Sequence, residues 1–356
     1  MKKLELRIFR FDKKLDYESY YKPYIYENYE NFLKLYDLLL QVQDDDIYFK
    51  FDENENSYVK INNVPVPLST PLEDILLRFG LKLSIEPLST KRAYKDLLFD
   101  KSDFWEKFTL LAPFCDEEDK KLYGNLEHFY YADELLEFHS EFMGNALFYL
   151  AFKLIEKDSS KKEAILKILC DKERGIFYHL KSPFDELESA IKWLCDEILS
   201  LNLFDKNLLC FKKKEKENES NPNFKENLKY NFSNFNIACY NFDLDDSLKA
   251  KLKAHFITFE KAYQNNGFSL LKLNEDLTYK MASEIILDAY DSGADFLLVN
   301  NADDFFLFDT CAKKLMQSCG REFDDFYVLS LKEFELLTQG TKPQSLKNHT
   351  LKVNLI

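Results

Sequence analysis

Between Lys212 and Asn231, six Lys, four Glu and five Asn fill 15 of 20 positions. So little apolar surface cannot offset the entropy of ordering the segment, so no hydrophobic core can run through it. The stretch 211–232 is therefore predicted to be a charged linker or a solvated loop. A length of 356 residues fits two or three domains. Lys+Arg 48 against Asp+Glu 62 gives a net charge of −14. A surface that acidic repels phosphate backbones and anionic lipid heads, which argues against nucleic acid and against direct membrane insertion.

The residues before the linker divide again. Over 1–112, Leu4, Leu6 and Ile8 alternate with Glu5, Arg7 and Arg10, as in a half-buried strand. Tyr20–Tyr26 reads as a second strand, and Phe32, Leu35, Tyr36 and Leu39 recur at helical spacing. Tyr58–Ile61 and Val64–Leu68 flank Asn62-Asn63, a pair that tolerates positive φ and suits a hairpin turn. With Leu81–Ile85 the set describes a β-grasp domain. Over 113–210 the pattern turns helical, with apolar residues three and four apart in Ala132–Phe142, Gly144–Glu156, Lys162–Leu169 and Phe184–Leu201. Beyond the linker, 233–356 alternates. Strands are expected at Asn236–Tyr240, Ser269–Leu273, Asp295–Val299 and Phe326–Ser330, with helices at Asp246–Tyr263, Thr278–Ser292 and Asp309–Ser318. Gly293 stands where a left-handed helix terminator belongs. Such alternation implies a mostly parallel sheet in an α/β layer, so the chain is an α+β multidomain protein.

Chemistry is harder to find. Only 8 glycines are present, about 2% against the roughly 7% usual, and no GxxxxGK[ST] or GxGxxG run occurs. Seven cysteines (115, 170, 195, 210, 239, 311, 319) form an odd, scattered set without a CxxC pair. In a chain this large they read as reduced thiols of a cytoplasmic protein. The N-terminus alternates charged and apolar residues, unlike a signal peptide, and no segment approaches the ~18 apolar residues of a membrane helix. His128 and His139, 11 residues apart, would stand about 16 Å apart along one helix and cannot share a metal. They read as satisfied surface or boundary histidines. Cys311 and Cys319 would lie about 12 Å apart and read as structural thiols. Cys239, at a strand end, is the least implausible redox thiol. Asp303-Asp304 follows a strand end where α/β sheets bind ligands, but a solvated helix N-terminus accounts for it better. Asp44-Asp45-Asp46 and Asp116 to Asp119 read as exposed loops or first helical turns. Tyr20-Tyr21, Tyr24, Tyr26 and Phe129-Tyr130-Tyr131 are candidates for a protein-binding surface.

A resemblance supplies what motifs do not. Arg7-Ile8-Phe9-Arg10-Phe11, then Ile85-Glu86-Pro87-Leu88, Lys95-Asp96-Leu97 and Phe104-Trp105-Glu106-Lys107, then Gly144-Asn145-Ala146-Leu147 and Asp171 to Gly175, follow one another over 1–205. In order and spacing they resemble the iron–sulfur subunit of succinate dehydrogenase and fumarate reductase. That family holds a [2Fe–2S] cluster in a CxxxxCxxC loop plus a later Cys; anchoring on Ile61-Asn62-Asn63-Val64-Pro65 puts Phe49, Asn54, Ser57 and Ser69 there. Its two further cysteine groups would fall around Gly124–Tyr131 and His179–Phe184, which contain no cysteine. The last third resembles the CCG module of heterodisulfide reductase. There the Pro-Cys-x-x-Cys element falls on Leu297–Asp304, with Asn301 and Asp304 replacing cysteines, and the paired Cys-Cys falls near Leu273-Asn274-Glu275-Asp276.

Iron–sulfur clusters are held essentially by Cys thiolates, so the resemblance implies a frame kept and its ligands lost. The expectation is a protein that is not an enzyme, with no catalytic, cofactor-binding or metal-binding residues and no cofactor. It would act as a scaffold for protein partners in a larger assembly, in the cytoplasm or at the inner face of the membrane through those partners. Two alternatives follow: an accessory or assembly subunit of a succinate dehydrogenase/fumarate reductase complex, or a subunit holding an organic cofactor beside Asn301–Asp304.

Overall fold

The computed structural model describes residues 3–209 and 228–351, so Cys210 and all but the end of the charged stretch lie outside the described residues. The chain forms two compact units: Met1–Leu136 with Met143–Leu203, and Glu137–Phe142 with Phe204–Ile356.

The first unit opens with strands β1 (Leu4–Arg10) and β2 (Tyr20–Tyr26), helix α1 (Leu35–Asp45), and the hairpin β3 (Tyr58–Ile61) and β4 (Val64–Pro67). Helix α2 (Leu72–Phe79) and strand β5 (Lys82–Pro87) complete a mixed sheet of order β2-β1-β5-β3-β4. β1 runs parallel to β5 and antiparallel to β2, and β3 is antiparallel to both β4 and β5, a β-grasp arrangement. The hairpin turns where expected, with φ of 48° at Asn62 and 67° at Asn63. Leu4, Leu6 and Ile8 on one side of β1 meet Leu35, Leu38, Leu39 and Val42 of α1 in one core. A two-stranded ladder, β6 (Ala93–Lys95) and β7 (Leu98–Phe99), follows.

Helices α3 (Ser102–Phe108), α4 (Glu117–Gly124), α5 (Glu127–Tyr131), α6 (Asn145–Lys157), α7 (Lys162–Leu169) and α8 (Asp185–Ser200) make up the rest of this unit. The helix predicted over Ala132–Phe142 is only a short 3-10 turn, Glu134–Glu137. Its apolar spacing instead marks buried anchors, Leu135, Leu136 and Phe142. Phe129, Tyr130 and Tyr131 are also buried, so that cluster belongs to the core and presents no docking surface.

The second unit contains β8 (Asn236–Cys239), α9 (Asp246–Leu252), β9 (His255–Ile257), α10 (Glu275–Asp291), β10 (Phe296–Val299), α11 (Ala302–Phe305), a π-helical turn over Phe306–Thr310, α12 (Ala312–Cys319), β11 (Tyr327–Ser330) and α13 (Leu331–Thr338). Its sheet, β11-β10-β8-β9, is parallel throughout. β10 is buried on both sides: Leu297 and Val299 pack with residues of α10 and α12, Phe296 and Leu298 with Leu252 and Phe334. Gly293 ends α10 at φ 84°. Two expectations fail here. Ser269–Leu273 is no strand, because Gly267 at φ 75° starts a 3-10 turn, Phe268–Leu270. The predicted helix over Asp246–Tyr263 stops at Leu252, where Lys253 turns left-handed, and β9 takes the vacated place in the sheet.

Candidate functional site

Four regions concentrate polar or ionisable side chains. The first is the loop before β3, over which the sequence resemblance would place [2Fe–2S] ligands. Phe49 is buried in the β-grasp core, its ring stacked on Phe51 at 5.8 Å. Asn54 Oδ1 accepts the Asn56 N–H, and Ser57 Oγ donates to Asp52 Oδ2 at 2.7 Å, while Ser69 is half-buried before α2. Asp52, Ser57 and Tyr58 line a cleft of about 460 Å³ together with Phe99, Lys101 and Glu127. Lys101 Nζ lies 2.7 Å from Glu127 and 3.6 Å from Asp52. Burial pushes the Glu127 carboxyl up, against the attraction of Lys101. The cleft thus sets three acids, Asp52, Asp100 and Glu127, against the one cation Lys101, with the Ser57 hydroxyl bonded to Asp52.

The second region joins the two segments matched to the other cysteine groups. His128 stacks on Tyr58 at 4.2 Å and meets Phe184 edge-on at 5.3 Å, and Phe129 lies 4.9 Å from Phe184. His128 is therefore buried, not a surface residue, and among the described residues its Nδ1 has no hydrogen-bond partner. Burial lowers its pKa to about 4, so the ring is neutral at pH 7. His139 falls in the other compact unit. Just after α5 in sequence, Asp133 begins a hydrogen-bonded chain that runs through Asn145 and His179 to Glu188. Neither the aromatic packing nor this chain was legible, because the paired residues are 9 to 70 positions apart.

The third region lies at the C-terminal end of β10. Asn301 caps α11: its Oδ1 accepts the Asp304 N–H at 2.8 Å and its Nδ2 donates to Asp304 Oδ2 at 2.6 Å. Asn266 Nδ2 donates to Asp304 Oδ1 at 2.7 Å. Asp304 is thus buried and held from both sides, where the sequence suggested a solvated carboxylate. Asn274 caps α10 through the Leu277 N–H.

The fourth region was not foreseen. His349 is buried between Glu333 (Nε2–Oε1, 2.9 Å) and Asp309 (Nδ1–Oδ1, 3.7 Å). Ser345 and Ser330 also donate to Glu333, and Asp309, on the π-helical turn, accepts the Thr350 and Leu351 N–H groups. Burial disfavours the charged ring, yet the bond to Glu333 and the field of both carboxylates raise the His349 pKa.

Burial pushes Cys239 and Cys195 up to about 12 and Cys115 to about 11, the reverse of what a reactive thiolate needs. Among the described residues no group of three or more His, Cys, Asp or Glu is placed to hold a metal ion. No described helix is long and apolar enough to cross a membrane.

Residues 268–350, less than a quarter of the chain, match the model of the HdrB-like C-terminal domain family. No curated protein matches the sequence. Among solved structures, one described as "Crystal structure of a hypothetical protein from Helicobacter pylori" is similar over 100% of this chain and 99% of its own, with a TM-score of 0.80 and 18% identity. At that identity the likeness shows the shared fold alone.

Proposed function

We propose that this chain is a non-catalytic, partner-binding protein built on the frame of a respiratory iron–sulfur subunit. One observation carries the reading. At the positions matched to cluster cysteines at the end of β10, Asn301 and Asp304 bond to each other and to Asn266, so the side chains satisfy one another. The ring contacts of His128 and Phe129 with Phe184 point the same way, since the two segments matched to cluster groups meet there through aromatic surface. The HdrB-like match over 268–350 supports the ancestry of the last third.

A frame that keeps its cores without its ligands retains its surface, and the ancestral surface docks other subunits. β2 offers one part of that surface: it is a sheet edge, and Tyr20, Tyr21 and Ile25 on it are exposed. The partners are proteins, met in the cytoplasm or at the inner face of the membrane. The order of matched segments over 1–205 keeps a second reading open, an accessory subunit of a succinate dehydrogenase or fumarate reductase. Mild cross-linking of the tagged native protein, affinity capture and mass spectrometry test both. A reproducible stoichiometric partner set is expected; respiratory subunits in it favour the second reading. Elution of the chain alone at cellular concentration would contradict both.

A further inference from the structure

Asp133, Asn145, His179 and Glu188 can be joined only if they hold one proton beyond the set of two carboxylates and a neutral imidazole. Asn145 Nδ2 donates to Asp133 Oδ2 at 2.6 Å, and its Oδ1 lies 2.8 Å from His179 Nδ1. His179 Nε2 lies 2.8 Å from Glu188 Oε1, which also accepts the Ser182 N–H. In this orientation both ring nitrogens face acceptors, which requires imidazolium. With the amide turned over, Asn145 donates to His179, a neutral ring donates to Glu188, and Asp133 must itself donate as a carboxylic acid. Both arrangements carry the same single proton. Without it, three links have two donors, and one link must open.

The location gives this count a consequence. Asp133 and Asn145 stand at the two ends of the segment 134–144, and their side-chain hydrogen bond closes it. The Leu135 N–H donates to Asp133, and the Met143 N–H donates to the Arg174 carbonyl at 3.0 Å. We propose that the four side chains form a single-proton lock across the two ends of this segment, closed while the network holds its proton and opened when the proton leaves. The other charges acting here are Glu134, beside Asp133, and Lys181, near Glu188. Burial pushes the Asp133 carboxyl up to about 6, against the charge of His179 and the Leu135 N–H, which brings the carboxylic-acid arrangement within reach.

Hydrogen exchange of the Leu135 and Met143 amides in the full chain, from pH 5 to 9 and corrected for intrinsic exchange, tests the lock. In the wild type the opening equilibrium is expected to rise about tenfold per pH unit above the point of proton release, as one proton requires. Asp133→Asn supplies the missing donor from a neutral amide, so both amides should lose that pH dependence. Glu188→Gln, at the more exposed end, supplies a donor to the ring at the cost of the Ser182 N–H bond, and should flatten the profile even where the first variant folds poorly. A flat wild-type profile, or variants with the wild-type slope, would overturn the proposal.

Discussion

His349 shows how much can hang on one side chain. Its ring fills the space between Glu333 and Asp309, and through them it ties the C-terminal segment to α13 and to the π-helical turn. Replacing it by Leu removes the counter-charge between two buried carboxylates, and such losses typically cost about 3–5 kcal/mol. Because the folded pKa is raised, His349 contributes stability below the ordinary imidazole value of 6.5, and the contribution fades as pH rises through the folded value. The gap in urea midpoint between wild type and His349→Leu should therefore narrow from pH 6 to pH 9. A gap independent of pH would refute the ion-pair account. Arg10 carries a comparable burden: it donates to Asp96 at 2.8 Å and to Asp46 at 2.5 Å. Burial pushes Asp46 up, yet bonds from Lys22, Arg10 and Tyr24 outweigh it and hold the carboxyl well below the usual range. Nothing in Asp44-Asp45-Asp46 announces this, since Arg10 lies 36 residues away, and the run reads as an exposed loop until the fold closes.

Elements were legible where periodicity and local turn chemistry agree. β1, β2, the Asn62-Asn63 hairpin, α6 and α8 fall within a few residues of the sequence reading. They failed where a short apolar run suits either a strand or a helical turn, as at Ser269–Leu273, or where a non-glycine residue takes a left-handed conformation, as at Lys253. The start of α6 shows what local sequence adds. Gly144 sits at φ 89°, and a Cβ there would lie 2.1 Å from the Tyr130 ring. Gly144→Ala thus combines backbone strain with overpacking and should cost about 3 kcal/mol. A fall in Tm on the order of 10 °C is expected. An unchanged Tm would mean that the junction of α5 and α6 is looser than the packing of Tyr130 implies.

At the scale of the whole molecule, the chain forms two compact units, and the parallel sheet of the second was readable from strand–helix alternation. The candidate site was legible only as substitution: Asn301 and Asp304 could be read as non-thiolate, but not as partners of Asn266, 38 residues before Asp304. The cleft bounded by Asp52, Lys101 and Glu127 was invisible for the same reason, since its walls come together only in three dimensions. The central claim is a respiratory frame without its clusters, and it is met most directly by iron and acid-labile sulfide analysis of native protein purified without oxygen. The account expects neither element above trace level and no absorbance beyond 300 nm. Stoichiometric iron and sulfide would contradict it.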